Sequence, residues 1–104
     1  MVYNQTARSV RRTDEFASWL KHLKDTQAKA YINLRIRRIV LTGHLGDYKP
    51  VGDDVYELRI DSGPGYRVYF AWRGNDAALL LIGGDKSSQN RDINKAKQIN
   101  RRYE

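Results

Sequence analysis

The chain of 104 residues predicts a single small α+β domain with the element order β, α, α, β, β, β, α. Three observations support this order: helical spacing of apolar residues in the N-terminal half, two-residue alternation in the middle, and helical spacing again near the C-terminus. A chain of this length can bury one modest core and is too short for a second domain. With 40% hydrophobic residues and two prolines, the composition is that of a folded protein.

The N-terminal segment predicts a strand followed by a helix. Residues 3–8 alternate weakly, which favours an edge or flanking strand. Thr13 is a suitable helix N-cap because it precedes two acidic residues that favour the first turn of a helix. The apolar residues that follow are spaced at i, i+3, i+4 and i+7: Phe16, Trp19, Leu20 and Leu23. This spacing indicates an amphipathic helix.

A second helix is predicted over residues 27–42, with Gly43 as its stop signal. Its core face is expected to carry Ala28, Ile32, Ile36, Ile39 and Val40. Its basic outer face is expected to carry Lys29, Arg35, Arg37 and Arg38. Such a charged face is usually solvated; alternatively, it holds RNA or an acidic partner.

The glycine-rich segment 43–52 predicts a loop between the helices and the sheet. It lacks the spacing of a nucleotide-binding phosphate loop. His22 and His44 are too few to indicate a metal site, and the chain has no cysteine. We therefore expect no metal and no cofactor.

The middle of the chain predicts a β-hairpin over Val55–Ile60 and Tyr66–Arg73. Side chains alternate across a strand, so each segment has an apolar side and a polar side. The two glycines and the proline of residues 61–65 suit a tight reversal. Arg59 and Arg67 then share the face opposite the core. They either solvate an open sheet face or form a cationic surface for a phosphate backbone.

The last strand and the last helix frame a polar segment. Residues 77–82 are continuously apolar, which predicts the most buried strand. A polar cluster at residues 85–89 follows two glycines, and Lys86 lies in it at a loop edge, where functional groups often occur. Ser87 or Ser88 is a candidate N-cap for the helix predicted over residues 92–103.

The charge of the chain favours an acidic partner. The net charge is +7 at pH 7, and the isoelectric point is near 9.9. Nucleic acid or an acidic protein fits this excess. No apolar run approaches the roughly 20 residues that span a bilayer, and the N-terminus lacks the pattern of a secretion signal. We expect a cytoplasmic protein with no membrane partner.

Several segments together carry a family resemblance: EFASWLKHLKD, RIRRI, GDYKPVG, ELR, GPGYRVYF and LLLIGGDKSSQ. With them, residues 13–96 resemble the RelE/ParE superfamily of type II toxin-antitoxin toxins, and within it the HigB-like addiction module killer branch. The resemblance implies a curved antiparallel β-sheet packed against the N-terminal helical hairpin.

The resemblance also implies a choice of activity. RelE-like and HigB-like members cleave mRNA in the ribosomal A site without a metal, whereas ParE-like members poison DNA gyrase. It favours an mRNA endonuclease toxin whose partners are mRNA, the ribosome and a cognate antitoxin with a helix-turn-helix DNA-binding domain. The alternatives are a gyrase poison and a non-catalytic nucleic-acid-binding module.

Site residues follow from the same resemblance. The implied catalytic cations, which stabilise the scissile phosphate, are Arg67, Arg59 and Lys86. The further RNA-binding candidates are Lys49, Arg73, Arg35 and Arg38. The candidate acids and bases are Glu57, Asp85 and Asp92, each of which has a salt-bridge or capping role as its alternative. RelE itself carries lysines where this chain has Val55 and Glu57, and a tyrosine where it has Asp92. On this basis Arg67→Ala is expected to lose toxicity and remain folded.

Overall fold

The computed structural model describes residues 8–103 and shows a five-stranded β-sheet with helices on both faces. The elements in chain order are β1 (Ser9–Arg12), α1 (Asp14–His22), α2 (Thr26–Thr42), β2 (Tyr48–Gly52), β3 (Val55–Ile60), β4 (Tyr66–Arg73), β5 (Ala77–Asp85) and α3 (Gln89–Arg102). A single 3-10 turn, Lys86–Ser88, joins β5 to α3. The predicted α+β class is confirmed.

The strand order across the sheet is β1-β5-β4-β3-β2. Strands β3 to β5 are antiparallel, as predicted. Strand β2, which was not predicted, is antiparallel to β3, while β1 pairs with β5 in parallel and makes the sheet mixed. The parallel pairing arises because α1 and α2 lie between β1 and the rest of the sheet in sequence, as a crossover requires. Strand β5 contains seven consecutive buried residues, so the prediction of a deeply buried strand is confirmed.

Two strand predictions differ from the structure. Most of the strand predicted at residues 3–8 lies outside the described residues; Arg8 precedes β1, which begins at Ser9. The loop predicted at 43–52 contains β2, in which Lys49 lies opposite Glu57 of β3. Its proline and glycine hide the strand pattern in the sequence, because the pairing that orders it is with a different segment.

The predicted cap begins α1 and the predicted stop ends α2, while α2 begins at Thr26, one residue before the predicted start. Thr13 caps α1 by accepting a hydrogen bond from the Phe16 amide at 3.0 Å. Asp25 caps α2 through the Ala28 amide, also at 3.0 Å. Helix α2 ends at Gly43, whose φ of 76° is readily adopted only by glycine.

The core divides into two layers, one on each face of the sheet. Helices α1 and α2 cover what we call the hairpin face, where Phe16, Ile32, Ile39, Leu58, Phe70 and Leu80 are buried. Helix α3 covers the α3 face, where Val55, Tyr69, Leu81, Ala96 and Ile99 are buried. Val40, predicted for the core, is 41% exposed because it lies beyond the buried stripe of α2. No helix within residues 8–103 is long and apolar enough to cross a bilayer.

Candidate functional site

Polar residues form two neighbouring rows across the α3 face. In one row, Arg59 lies opposite Arg67, and Arg67 lies opposite Gly84. In the next row, Lys49 lies opposite Glu57. Directly opposed residues of antiparallel strands project to the same face, with Cβ atoms about 4.5–5.5 Å apart. The register therefore confirms that Arg59 and Arg67 share a face and adds Lys49 and Glu57 to it.

Arg67 and Glu57 form a buried ion pair in this face. Arg67 Nε lies 3.7 Å from Glu57 Oε1, and the two residues are 4% and 0% exposed. Gln89, the first residue of α3, donates from Nε2 to Glu57 Oε2 at 2.6 Å. The alternative of arginines that solvate an open face is wrong for Arg67, because α3 covers this part of the sheet.

The Arg67 guanidinium extends to a corner of the sheet where Lys86 also lies. A Cβ placed on Gly65 would be 3.6 Å from Arg67 Nη1 and 3.6 Å from Lys86 Cβ. Both cationic side chains therefore pass close to the backbone of Gly65. Lys86 is exposed, and the Arg59 side chain is 41% exposed and 3.9 Å from Asp47.

Two further carboxylates border this corner. Asp85 Oδ1 accepts hydrogen bonds from the Ser87 amide at 2.8 Å and the Ser87 hydroxyl at 2.5 Å. These bonds lower the pKa of Asp85, which is partly buried. Asp92 Oδ2 accepts a hydrogen bond from Ser88 Oγ at 2.5 Å. We call Glu57, Arg59, Arg67, Asp85, Lys86 and Asp92 the strand-end cluster.

Glycine at position 84 makes room for Asp92. A Cβ there would lie 1.9 Å from Asp92 Oδ2, closer than any side chain tolerates. Asp92 can therefore lie directly on the β5 backbone opposite Arg67. The helix predicted to begin at 92 begins at Gln89 instead, and Ser88 bonds to Asp92 rather than capping the helix backbone.

An open groove of about 410 Å³ lies beside the strand-end cluster, between α1 and α3. Its lining includes Trp19, Gly83, Gly84, Asp85, Asp92 and Lys95. The groove combines an aromatic wall, a backbone floor and charges of both signs. A flexible polar ligand can therefore reach Asp85 and Asp92, whereas Glu57 has no exposed surface.

Three predicted RNA-binding arginines lie away from the cluster. Arg73 is at the opposite end of β4 and donates to Asn100 Oδ1 at 2.6 Å. Arg35 is half-buried, which lowers its pKa, and it donates to the Arg59 and Leu45 carbonyls at 2.7 Å. Arg38 is on α2, beyond the hairpin face. Of the predicted RNA-binding residues, Lys49 and Arg73 project to the α3 face, and only Lys49 lies directly opposite a member of the strand-end cluster, Glu57.

Sequence reasoning missed three members of the polar network: Tyr69, Ser88 and Gln89. Alternation places Tyr69 on the same side as Arg67, and this was the available signal. Gln89 contacts Glu57 across 32 positions, and no local pattern indicates such a contact. Within residues 8–103, the buried Tyr69 hydroxyl makes no hydrogen bond of normal geometry. Burial and the Glu57 charge raise the pKa of Tyr69 far above its ordinary value of 10.0.

Tyr69→Phe is expected to protect the protein against alkaline unfolding. The pKa of Tyr69 is higher in the folded than in the unfolded protein, so neutral Tyr69 contributes its full share to the free energy of unfolding below the unfolded pKa of about 10. This contribution is lost as the pH rises from that value towards the folded pKa. Urea unfolding at about pH 8 and about pH 11 measures this loss. At about pH 8 the change should stay below about 1 kcal/mol, since only an unsatisfied hydroxyl is removed. Tyr103→Phe, at an exposed position, is the control. The expectation would be contradicted if both variants and the unchanged protein lost the same free energy of unfolding between about pH 8 and about pH 11.

Comparison with known proteins places the chain in a family. Residues 18–104 match the family described as phage derived protein Gp49-like. The chain belongs to this family. An uncharacterized protein of Haemophilus influenzae is 50% identical to this Gp49-like protein over 90 residues, which cover 86% of this chain and 90% of that protein.

Two solved structures share the fold of this Gp49-like protein. A mutant of the E. coli toxin RelE in the free state aligns with a TM-score of 0.68 at 15% identity, covering 89% of this chain and 98% of that one. The intact E. coli RelBE toxin-antitoxin complex gives a TM-score of 0.61 at 15% identity, covering 76% of this chain and 96% of that one. The predicted resemblance to the RelE/ParE superfamily is thus confirmed in the fold.

Proposed function

We propose that this Gp49-like protein is the toxin of a type II toxin-antitoxin system and a HigB-like, ribosome-dependent endonuclease that cleaves mRNA without a metal. Family membership and the RelE-like fold support a toxin. The observation that carries the nuclease is the strand-end cluster, in which three cations and three carboxylates meet at one corner of the sheet. A surface that only binds protein does not need both kinds of charge in one cluster.

Cleavage of RNA through the 2′-hydroxyl needs a base, a cation at the crowded phosphate and an acid for the leaving oxygen. Lys86 and Arg59 are exposed and meet the phosphate first. Arg67 offers a planar fork that suits two phosphate oxygens, but it is covered. Arg67 is 4% exposed, so direct contact with a phosphate requires neighbouring groups to move aside. Replacing Lys86 therefore tests the proposal more directly than replacing Arg67.

The acid and base roles fall to Asp85 and Asp92, which border the groove. The two Ser87 hydrogen bonds lower the pKa of Asp85 and keep it ionised at neutral pH, which assigns it the role of base and makes it a weaker base than a free carboxylate. One carboxylate oxygen of Asp92, Oδ2, accepts a hydrogen bond from Ser88 Oγ. Glu57 acts instead as the fixed partner of Arg67, holding the guanidinium in position.

The partners of this activity are mRNA, the ribosome and a cognate antitoxin with a helix-turn-helix domain, all in the cytoplasm. The RelBE complex, a structural neighbour, is a toxin bound to its antitoxin. An antitoxin is the partner expected for a toxin that acts on its own cell's messages. Lys49 extends the cationic row and supplies a further backbone contact.

Lys86→Ala is expected to lower mRNA cleavage by about 100-fold, the usual loss when one group that stabilises the transition-state charge is removed. Cleavage is measured by inducing the protein and mapping transcript 5′ ends, with codon-phased cuts in translated messages as the signature. Lys21→Ala, which removes an equal charge from an exposed position of α1, is the matched control and should cut normally. Intact messages with accumulated gyrase-DNA cleavage complexes would overturn the proposal in favour of a gyrase poison.

A further inference from the structure

Helix α2 carries a second stripe of apolar side chains, which are exposed among the described residues. Its buried stripe consists of Ala28, Ile32, Ile36 and Ile39. Beside it, Tyr31, Leu34, Arg38 and Leu41 are spaced at i, i+3, i+7 and i+10, which places them on one helical face. Tyr31, Leu34 and Leu41 are 44%, 60% and 56% exposed. This concentration of large exposed apolar side chains on one helix marks an interaction surface.

The stripe forms one wall of a groove of about 520 Å³. The end of β3 forms the opposite wall through Ile60 and Asp61. Arg35, Arg37 and Arg38 lie around its rim, so one carboxylate faces three guanidinium groups. The floor is apolar and the rim is cationic, and this combination specifies the chemistry of an occupant.

We propose that this α2 groove docks an acidic amphipathic helix of a partner protein, namely the antitoxin. An amphipathic helix presents anchors at i, i+3, i+4 and i+7, which fill an apolar groove along its length. Acidic residues beside those anchors meet Arg37 and Arg38, which are exposed. The identity of the partner as an antitoxin rests on the proposed function; the chemistry of the helix rests on the groove.

A second copy of this chain and an RNA strand both fit the groove poorly. A two-fold pairing through the same surface would bring Arg37 and Arg38 of one copy against those of the other, with one acid per copy to offset them. Single-stranded RNA binds grooves in which bases stack on aromatic faces. The two most exposed apolar residues here are leucines, which offer no such face, and Tyr31 is the one aromatic residue that lines the groove among the described residues. An acidic apolar helix satisfies both the floor and the rim.

The experiment compares three forms of the chain for binding to a candidate antitoxin, taken as any small DNA-binding protein that is encoded next to this chain's gene. Leu34→Glu places a charge at the centre of the groove and should weaken binding by about 30-fold or more, the loss typical of a buried anchor. Val40→Glu makes the same substitution at a position of α2 that is 41% exposed and outside the groove. It should bind within about 3-fold of the unchanged chain, as rim positions usually do.

Three results would overturn the inference. Equal affinity of Leu34→Glu and the unchanged chain would show that the antitoxin docks elsewhere. A dimer of the unchanged chain in sedimentation that Leu34→Glu dissociates would make a second copy the occupant. Failure of the encoded protein to bind the unchanged chain would remove the antitoxin as the partner. Transcript mapping with Leu34→Glu tests the endonuclease proposal independently of the docking proposal. Continued mRNA cleavage by this variant would support the endonuclease proposal whatever the outcome of the binding experiment.

Discussion

Arg67→Ala is expected to lower the free energy of unfolding by about 3–5 kcal/mol, the cost of leaving a buried charge without its partner. Glu57 is 0% exposed and keeps only the hydrogen bond from Gln89 once the guanidinium is gone. The remaining carboxylate must either stay charged in an apolar layer or take up a proton. Urea unfolding at neutral pH measures the loss.

The double variant Glu57→Gln with Arg67→Met is the control for this prediction. It removes both charges, retains a polar group for Gln89 and fills the arginine's volume. Replacing a buried pair in this way is often neutral, so the double variant should lie within about 1 kcal/mol of the unchanged protein. Equal destabilisation of Arg67→Ala and the double variant would contradict the ion-pair explanation.

This expectation changes how Arg67 is tested as a functional residue. From the sequence, Arg67→Ala is expected to remain folded while toxicity is lost. With Glu57 buried beside it, loss of toxicity in that variant would report unfolding as much as lost chemistry. Lys86 is exposed, and its replacement separates the two effects.

Gly83→Ala is expected to lower the free energy of unfolding by about 1–3 kcal/mol through overpacking. A Cβ at this position would lie 2.3–2.5 Å from three ring atoms of Trp19. The ring is large and rigid, and it packs against Phe16 and Tyr66 at centroid distances of 5.8 and 6.5 Å. The substitution must therefore move α1 away from β5. Urea unfolding followed by tryptophan fluorescence reports both the stability and the environment of the indole.

Trp19→Leu provides the matched test of this contact. The double variant of Gly83→Ala with Trp19→Leu should be less destabilised than the sum of the two single variants, because the smaller side chain leaves space for the new methyl group. Additive losses would show that the Trp19 contact does not limit position 83.

The sequence alone predicts those elements whose signals are local. Helix α1 is recognisable because Thr13 caps it and its apolar residues follow a helical period. Strands β3 and β4 are recognisable because their side chains alternate around a glycine-rich turn. The shared face of Arg59 and Arg67 follows from the same alternation, since the hairpin register is determined by neighbouring residues.

Other features have no local signal. Strand β2 is ordered by its pairing with β3, and its own residues read as a loop. The contact of Gln89 with Glu57 joins segments 32 positions apart. In sequence, Glu57 and Arg67 look like solvated charges on an open sheet; only the packing of α3 makes them a buried pair.

The sequence by itself therefore determined the α+β class, the start of α1, the end of α2, and the common face of Arg59 and Arg67, because caps, periods and alternation act between near neighbours. The tertiary structure decided which of these charges meet solvent. Helix α3 covers one face of the sheet through contacts between segments that are distant in sequence. As a result, Arg67 is the buried cation of the strand-end cluster and Lys86 is an exposed one.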